Sequence, residues 1–371
     1  MKIGIITWFT GPNYGTNLQA IALQAFLRKL KYSVEIINYE VDAPRNRGFI
    51  KRILAQPQKY INLRVYKKYA AQIKIRNEKL KAAISNNCVL TEHIKCGEDF
   101  IDKCNEFDLL IFGGDQIWNP NWYHRFYYAD YDEITTRRIS YAPSIGVDKI
   151  PANQMDNMAR SLNKFDCISV REEKGAAIVS NLLQGRKKIE SVVDPVFLLS
   201  ESEWDEVFNI QAERKSGRYV LSMFLTDNRQ HWKAAEQFAQ KIGSRQVIVP
   251  YCGFSYMQRA DIVADAGLED LLSLIKGAEY VLTDSFHITV LAILYRRQFY
   301  TFQRFRESEF TSTNERVRNL LSIAGCEERF IEYGTKHIRQ IKKIEYDEVV
   351  PRLNEEINKS TAYLKNAIEG K

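Results

Sequence analysis

Apolar residues along the chain follow two recurring patterns, and their alternation predicts an α/β protein. Lys2–Thr7, Ser33–Asn38, Phe107–Phe112, Arg138–Ala142 and Asp166–Val170 are short, largely apolar runs bounded by turn residues, as buried parallel strands are. Between them lie stretches with apolar positions three and four apart. Leu18, Ile21, Ala22, Ala25, Phe26 and Leu30 share one helical face, Ile150–Asn163 forms another helix, and a third follows Arg171-Glu172-Glu173. The alternation restarts beyond Ser202. Strands over Tyr219–Phe224, Gln246–Pro250, Tyr280–Leu282 and Phe299–Phe302 are interleaved with helices over Gln230–Lys241, Leu268–Lys276, Ile288–Leu294 and Thr313–Ala324. One or two charged amphipathic helices close the chain, from about Ile344 to Ile368. At 371 residues there is chain for two cores. The pattern therefore predicts two Rossmann-like domains facing a cleft, at 1–200 and 201–340, with a helical tail at 341–371.

In open parallel sheets a ligand sits beyond the carboxyl ends of the strands, so the polar residues there are the candidates. The first such loop, WFTGPNYGTN, lacks the GxGxxG spacing of a dinucleotide site. Its Asn13 and Asn17 either face a substrate or are ordinary turn residues. After Phe112 the paired Gly113 and Gly114 allow a sharp turn and close approach to a ligand. Gly114, Asp115 and Gln116 there suit a hydroxyl-bearing acceptor. Trp118 and Trp122 either stack on a sugar ring or plug the core. Asp130-Tyr131-Asp132 matches the loose DxD of metal-dependent sugar transfer, but three residues match easily by chance, and they read as strand surface. Arg171 ends a strand, where its planar fork can take a carboxylate or phosphate, or simply pair with Glu172 or Glu173.

The densest chemistry lies between Glu279 and Arg306. Three potential helix caps, Thr283, Asp284 and Ser285, precede His287 in the first turn of a helix, and Arg304 and Arg306 follow the next strand. A helix N-terminus favours an anion, and an imidazole there can act as acid and base near neutral pH. The plainer reading is a histidine that caps or packs.

Charge adds one feature. The segment 45–81 holds twelve Lys or Arg and one acid, Glu78, more positive charge than the +7 of the whole chain. Its apolar positions, Tyr66, Tyr69, Ala70, Ile73, Leu80 and Ile84, have helical spacing, so it is either a membrane-surface helix drawn to anionic lipid or a core-docked helix with a solvated basic face. No apolar run reaches the ~18 residues of a membrane span. Only Lys2 precedes the first apolar run, so no signal peptide is expected and the protein is expected in the cytoplasm, at most at the inner face of the membrane. The six cysteines form no CxxC pair, and no metal site is expected.

Six motifs in order, NYGTNLQAIAL, DLLIFGGDQIWNP, ISYAPSIG, ISVRE, VVDPVFLL and YVLTDSFH, make the sequence from Ile3 to about Leu321 resemble the polysaccharide pyruvyl transferase family. The resemblance implies a GT-B-like fold. It also implies transfer of pyruvate from phosphoenolpyruvate to two sugar hydroxyls, giving a cyclic ketal on a cell-surface glycan precursor. Phosphoenolpyruvate would be a co-substrate, with no cofactor. His287 matches the family's acid/base histidine, and Arg171 matches an arginine expected to hold the donor. Arg304 or Arg306 would fill the basic position after the next strand. Ser285 stands in the donor site where some members have Arg, and Ile288 where many have Gly. The first domain would take the acceptor, a glycan or lipid-linked saccharide met at the membrane through 45–81, and the second the donor. Two other functions fit the residues. One is a glycosyltransferase using a nucleotide sugar. The other is a non-catalytic glycan or nucleic-acid binder using the basic segment, although a charge confined to one segment argues against nucleic acid as a partner.

Overall fold

The computed structural model describes residues 1–39, 67–95, 97–210, 218–306 and 314–370. Strands β1 (Lys2–Ile6), β2 (Ser33–Ile36), β3 (Leu109–Gly113) and β4 (Arg137–Tyr141) form a parallel sheet in the order β2-β1-β3-β4. Strands β5 (Ile168–Val170) and β6 (Ile189–Ser191) pair with each other, and a parallel bridge from Ile139 to Cys167 joins them to β4. The second sheet is parallel throughout. It contains β7 (Tyr219–Met223), β8 (Arg245–Ile248), β9 (Asp261–Ile262), β10 (Tyr280–Thr283), β11 (Gln298–Phe302) and β12 (Phe330–Ile331), in the order β12-β11-β10-β7-β8-β9. β9 and β12 have two residues each, too few for an apolar period to announce them.

The helices in the first half are α1 (Tyr14–Lys29), α2 (Ala70–Asn87), α3 (Gly97–Asn105), α4 (Ala152–Asn163) and α5 (Glu173–Leu182). Those in the second half are α6 (Glu201–Phe208), α7 (Arg229–Lys241), α8 (Leu268–Lys276), α9 (Phe286–Leu294), α10 (Glu315–Ala324) and α11 (Tyr346–Glu369). α1 and α9 are buried on nearly every side, because each lies between its own sheet and the other domain. α1 starts one turn before the apolar pattern does. The Asn13 side chain accepts from Gly15 N at 3.0 Å, and this cap draws polar residues 14–17 into the helix.

The two domains are joined at several points. Tyr14 Oη donates to the Ala266 carbonyl (2.7 Å), and Lys79 Nζ lies 2.8 Å from Asp270. Residues 45–66 of the basic segment lie outside the described residues. The described remainder is core-docked: Arg76 on α2 is buried and donates to Pro250 O and Tyr256 Oη, both at 3.1 Å. The tail is one helix, and it crosses back to the first domain. Ser360 Oγ accepts from Val193 N (2.9 Å), Tyr363 Oη donates to Ser140 O (3.0 Å), and Arg137 donates to the carbonyls of Ala367 and Ile368. Asp130 and Asp132 are not on a strand. They sit in a turn, where Asp130 is buried and tied to Arg160 (2.9 Å) and Lys164 (3.1 Å), which is a structural ion cluster. Trp118 is buried and donates from Nε1 to Tyr127 O (3.0 Å), so it plugs the core, whereas Trp122 is exposed. Among the described residues no helix is long and apolar enough to cross a membrane.

His231 on α7 packs against Phe224 and Phe302, and burial pushes its pKa down to about 4. The folded state therefore holds the neutral ring. The associated stability is complete above the ordinary histidine pKa of ~6.5 and is lost as pH falls toward 4. In urea unfolding, lowering pH from ~7 to ~4.5 is expected to cost the wild type about 2 kcal/mol more than it costs His231→Gln; equal losses would exclude His231 as the source.

Candidate functional site

Two helix starts meet across the cleft, α1 from the first domain and α9 from the second. The residues that make contact there are Gly15 and His287. A Cβ placed on Gly15 would stand 2.0 Å from His287 Nδ1, so only glycine lets the imidazole come this close. The other face of the ring meets the end of β6, where Asp194 Oδ2 lies 3.4 Å from His287 Nε2. The same oxygen accepts from Arg171 Nη1 at 2.5 Å. Asp194 Oδ1 caps the turn that follows, accepting from Val196 N (3.0 Å). Arg171, at the end of β5, also reaches Glu172 Oε1 through Nε (3.3 Å), and Glu172 in turn accepts from Ser144 Oγ (2.6 Å) at the end of β4. The Arg171 guanidinium lies over the Phe286 ring, 4.4 Å from its centroid, and Arg316 from α10 lies over the same ring at 5.9 Å. The strand ends of one domain thus face the first turn of α9 and the start of α10 in the other.

The end of β3 supports this arrangement from behind. Gly114 has φ +74°, and a Cβ there would stand 1.5 Å from Gln19 Oε1. Asp115 also has a positive φ, +46°, an uncommon conformation for a residue with a side chain. It accepts from Thr16 Oγ1 at 2.6 Å, which fixes the start of α1 to the end of β3.

The site concentrates charge in a buried place. Burial alone would push the Asp194 carboxyl up, but His287 and Arg171 outweigh it and hold it well below the usual carboxylate range. Burial and the nearby Arg171 and Arg304 push Arg316 down to about 10, against the pull of Glu172 and Asp115. Burial pushes Asp284 up, opposed by Arg304 and by hydrogen bonds from Leu225 N and Thr226 Oγ1. Arg171 Nη2, Glu172 Oε2, His287 Nε2 and Arg304 Nε are all buried without a hydrogen-bond partner, and Asn17 Oδ1 in the first turn of α1 is a fifth. Buried polar atoms in folded proteins are nearly always partnered, so such a gathering marks a place for a polar ligand. Beside these atoms, a small cavity walled by Arg171, Asp194, Phe286 and Arg316 has a volume of about 40 Å³.

A family model of polysaccharide pyruvyl transferases matches residues 13–304. The chain belongs to that family. No curated protein matches the sequence. Among solved structures the fold is similar to a UDP-N-acetylglucosamine 2-epimerase candidate from Listeria monocytogenes (TM-score 0.50, 11% identity, covering 100% of this chain and 97% of that one). Weaker likenesses are UDP-GlcNAc 2-epimerase from Neisseria meningitidis bound to UDP-GlcNAc (TM-score 0.46, 11% identity, 99% and 94% covered) and an E. coli heptosyltransferase with ADP (TM-score 0.42, 12% identity, 96% and 100% covered). The Listeria likeness speaks to fold alone, and the fold is the GT-B type that the sequence motifs implied.

Within this pyruvyl transferase family member, the expected donor residues are not all in one place. His287, Arg171 and Arg304 are brought together, whereas Arg306 is exposed and lies over the Tyr333 ring at 5.3 Å. Ser285 is the buried N-cap residue of α9, but its side chain makes no capping hydrogen bond. Of the expected acceptor residues, Asn13 has its side-chain oxygen committed to the α1 cap. Asn17 and Asp115 are buried near the start of α1, and Gln116 accepts from Asn119 (2.9 Å). Asp194, Gly15, Phe286 and Arg316 are contributors that sequence reasoning missed. Asp194 did carry a signal, the Asp-Pro pair that caps the turn after β6, but a cap signal says nothing of the opposite domain.

Gly15→Ala is expected to force the domains apart at this contact and to destabilise the protein by about 1–3 kcal/mol, the usual range for overpacking. In a His287→Ala background most of that penalty should disappear. A double-mutant cycle by urea unfolding checks it, and additive penalties would mean that Gly15 serves something other than the ring.

Proposed function

We propose that this protein transfers pyruvate from phosphoenolpyruvate onto two hydroxyls of a saccharide bound for the cell surface, forming a cyclic ketal. The observation that carries the reading is the convergence of Arg171, Arg304 and Arg316 with His287 at one buried cleft, with polar atoms there still unpartnered. Phosphoenolpyruvate is a compact trianion. Fixed guanidiniums suit its carboxylate and phosphate, and low-dielectric surroundings strengthen such contacts. Membership of the family supports the same reading.

The chemistry then follows from where the groups lie. His287, as imidazolium, gives a proton to the methylene carbon of the donor, and positive charge develops at the adjoining carbon. A sugar hydroxyl adds to that carbon, and the neutral imidazole takes its proton. The carbon–oxygen bond to phosphate breaks, the second hydroxyl adds, and its proton leaves with the phosphate. Arg171, Arg304 and Arg316 stabilise the departing phosphate. The saccharide would approach from the first-domain side, where Asn17 and Asp115 lie near the start of α1 with Gly114 and Gln116 beside them.

His287→Ala is expected to lower turnover by ~10²–10⁴ while leaving the fold intact. Arg304→Ala should weaken phosphoenolpyruvate binding by roughly ten- to a hundredfold, the loss expected for a charge-assisted hydrogen bond, and Arg306→Ala should leave it unchanged. Thermal unfolding with phosphoenolpyruvate beside a panel of nucleotide sugars measures both, since ligand at ~100 times its dissociation constant adds ~2.7 kcal/mol to the native state. A shift given only by a nucleotide sugar would overturn the donor assignment.

A further inference from the structure

Asp194 divides its carboxylate between two jobs. One oxygen caps the turn after β6, and the other meets groups from both domains, Arg171 Nη1 at 2.5 Å and His287 Nε2 at 3.4 Å. Neither partner is fully used. Arg171 Nη2 and His287 Nε2 are buried and have no hydrogen-bond partner, so the ring contact is an electrostatic one rather than an aligned hydrogen bond.

Other charged groups surround the pair. Glu172 lies at the end of β5, Asp115 at the end of β3, Arg304 after β11 and Arg316 on α10, while α1 brings the backbone of Gly15 against the ring. Glu172 Oε1 is tied to Ser144 and Arg171, and Asp115 to Thr16 and Gln116 N. Among the described residues, Asp194 is therefore the carboxylate within ion-pair distance of the imidazole.

We propose that Asp194 is a positioning residue that couples anion capture by Arg171 to the protonation of His287. The inference rests on phosphoenolpyruvate being the donor. Without an anion, the shared oxygen sits closer to Arg171, and the ring receives only the longer contact. An anion engaging Arg171 Nη2 takes up part of the guanidinium's charge and adds negative charge beside the ring. The carboxylate is then available to the imidazolium. With the donor seated and the carboxylate turned to the ring, His287 acts as the acid. Once the proton has moved to the donor, Asp194 keeps the neutral ring oriented to accept one from the incoming hydroxyl.

The test is the titration of the His287 ring in full-length protein with isotope-labelled histidine. His287→Ala identifies its signal among the five histidines. Saturating phosphoenolpyruvate should raise the wild-type midpoint by about one pH unit or more, as a newly available opposite charge does. In ligand-free Asp194→Asn the midpoint should fall by a similar amount, the ligand-induced rise should be lost although binding persists, and Asp194→Glu should restore it. Asp194→Asn should also lower kcat more than it raises KM. An unchanged midpoint in ligand-free Asp194→Asn, or a wild-type midpoint that ignores bound phosphoenolpyruvate, overturns the coupling alone. Failure of phosphoenolpyruvate to bind the wild type overturns the donor reading, and the coupling with it. The wild-type comparison needs no variant, so a poorly folding substitution does not remove the test.

Discussion

One buried carboxylate ties the two halves of this molecule to each other. Asp194 has no exposed side-chain surface, and against the cost of burial an imidazole of the other domain, a guanidinium of its own and the Val196 N–H favour its ionised form. Charges in such a place are costly to desolvate, and removing one partner of a buried pair typically costs 3–5 kcal/mol. The contact between the domains is thus more than a packing arrangement, because His287 can reach the carboxylate only when the domains meet. Gly15 makes that meeting sterically possible, and Tyr14 and Arg76 hold it at points away from the chemistry.

The rest of the site is a balance of repulsions. Arg171, Arg304 and Arg316 are close enough to depress the proton affinity of Arg316, and Asp115, Glu172 and Asp194 offset them from the strand ends of the first domain. Arg171 and three of the carboxylates belong to the first domain, and Arg304, Arg316 and the buried Asp284 to the second. A polyanion entering between them relieves the cation repulsion, and the unpartnered nitrogens of Arg171 and Arg304 are already desolvated to receive it.

Much of the fold was legible in the sequence, because buried parallel strands such as Leu109–Gly113 are uninterrupted apolar runs and α/β alternation leaves few topologies. What stayed hidden was short or polar: β9 and β12, and the first turn of α1, where Tyr14-Gly15-Thr16-Asn17 carry no helical period. At the site, His287, Arg171 and Arg304 stood out because each sits at a strand end or in the turn just after one. That Arg304 turns toward Arg316 while Arg306 lies over Tyr333 was not readable, since the path of a loop leaving a sheet has no period. Nor were the contacts between domains. Nothing local to Gly15 announces that a ring from the other domain rests on it, and Arg76 looks in sequence like one more member of a basic run although it is buried against Pro250 and Tyr256.

The final helix returns to the beginning of the molecule. α11 supplies Ser360 and Tyr363 to the backbone of the first domain and offers its last carbonyls to Arg137. The polypeptide therefore crosses between the lobes twice. Synthesis from the N-terminus has a further implication. The first lobe leaves the ribosome early, yet Val193 N has no side-chain partner, and Ser140 O and the Arg137 guanidinium lack one of theirs, until residues 360–368 are made. Through most of translation it is an incomplete lobe waiting for its closing strap, and the two lobes mature together rather than in turn.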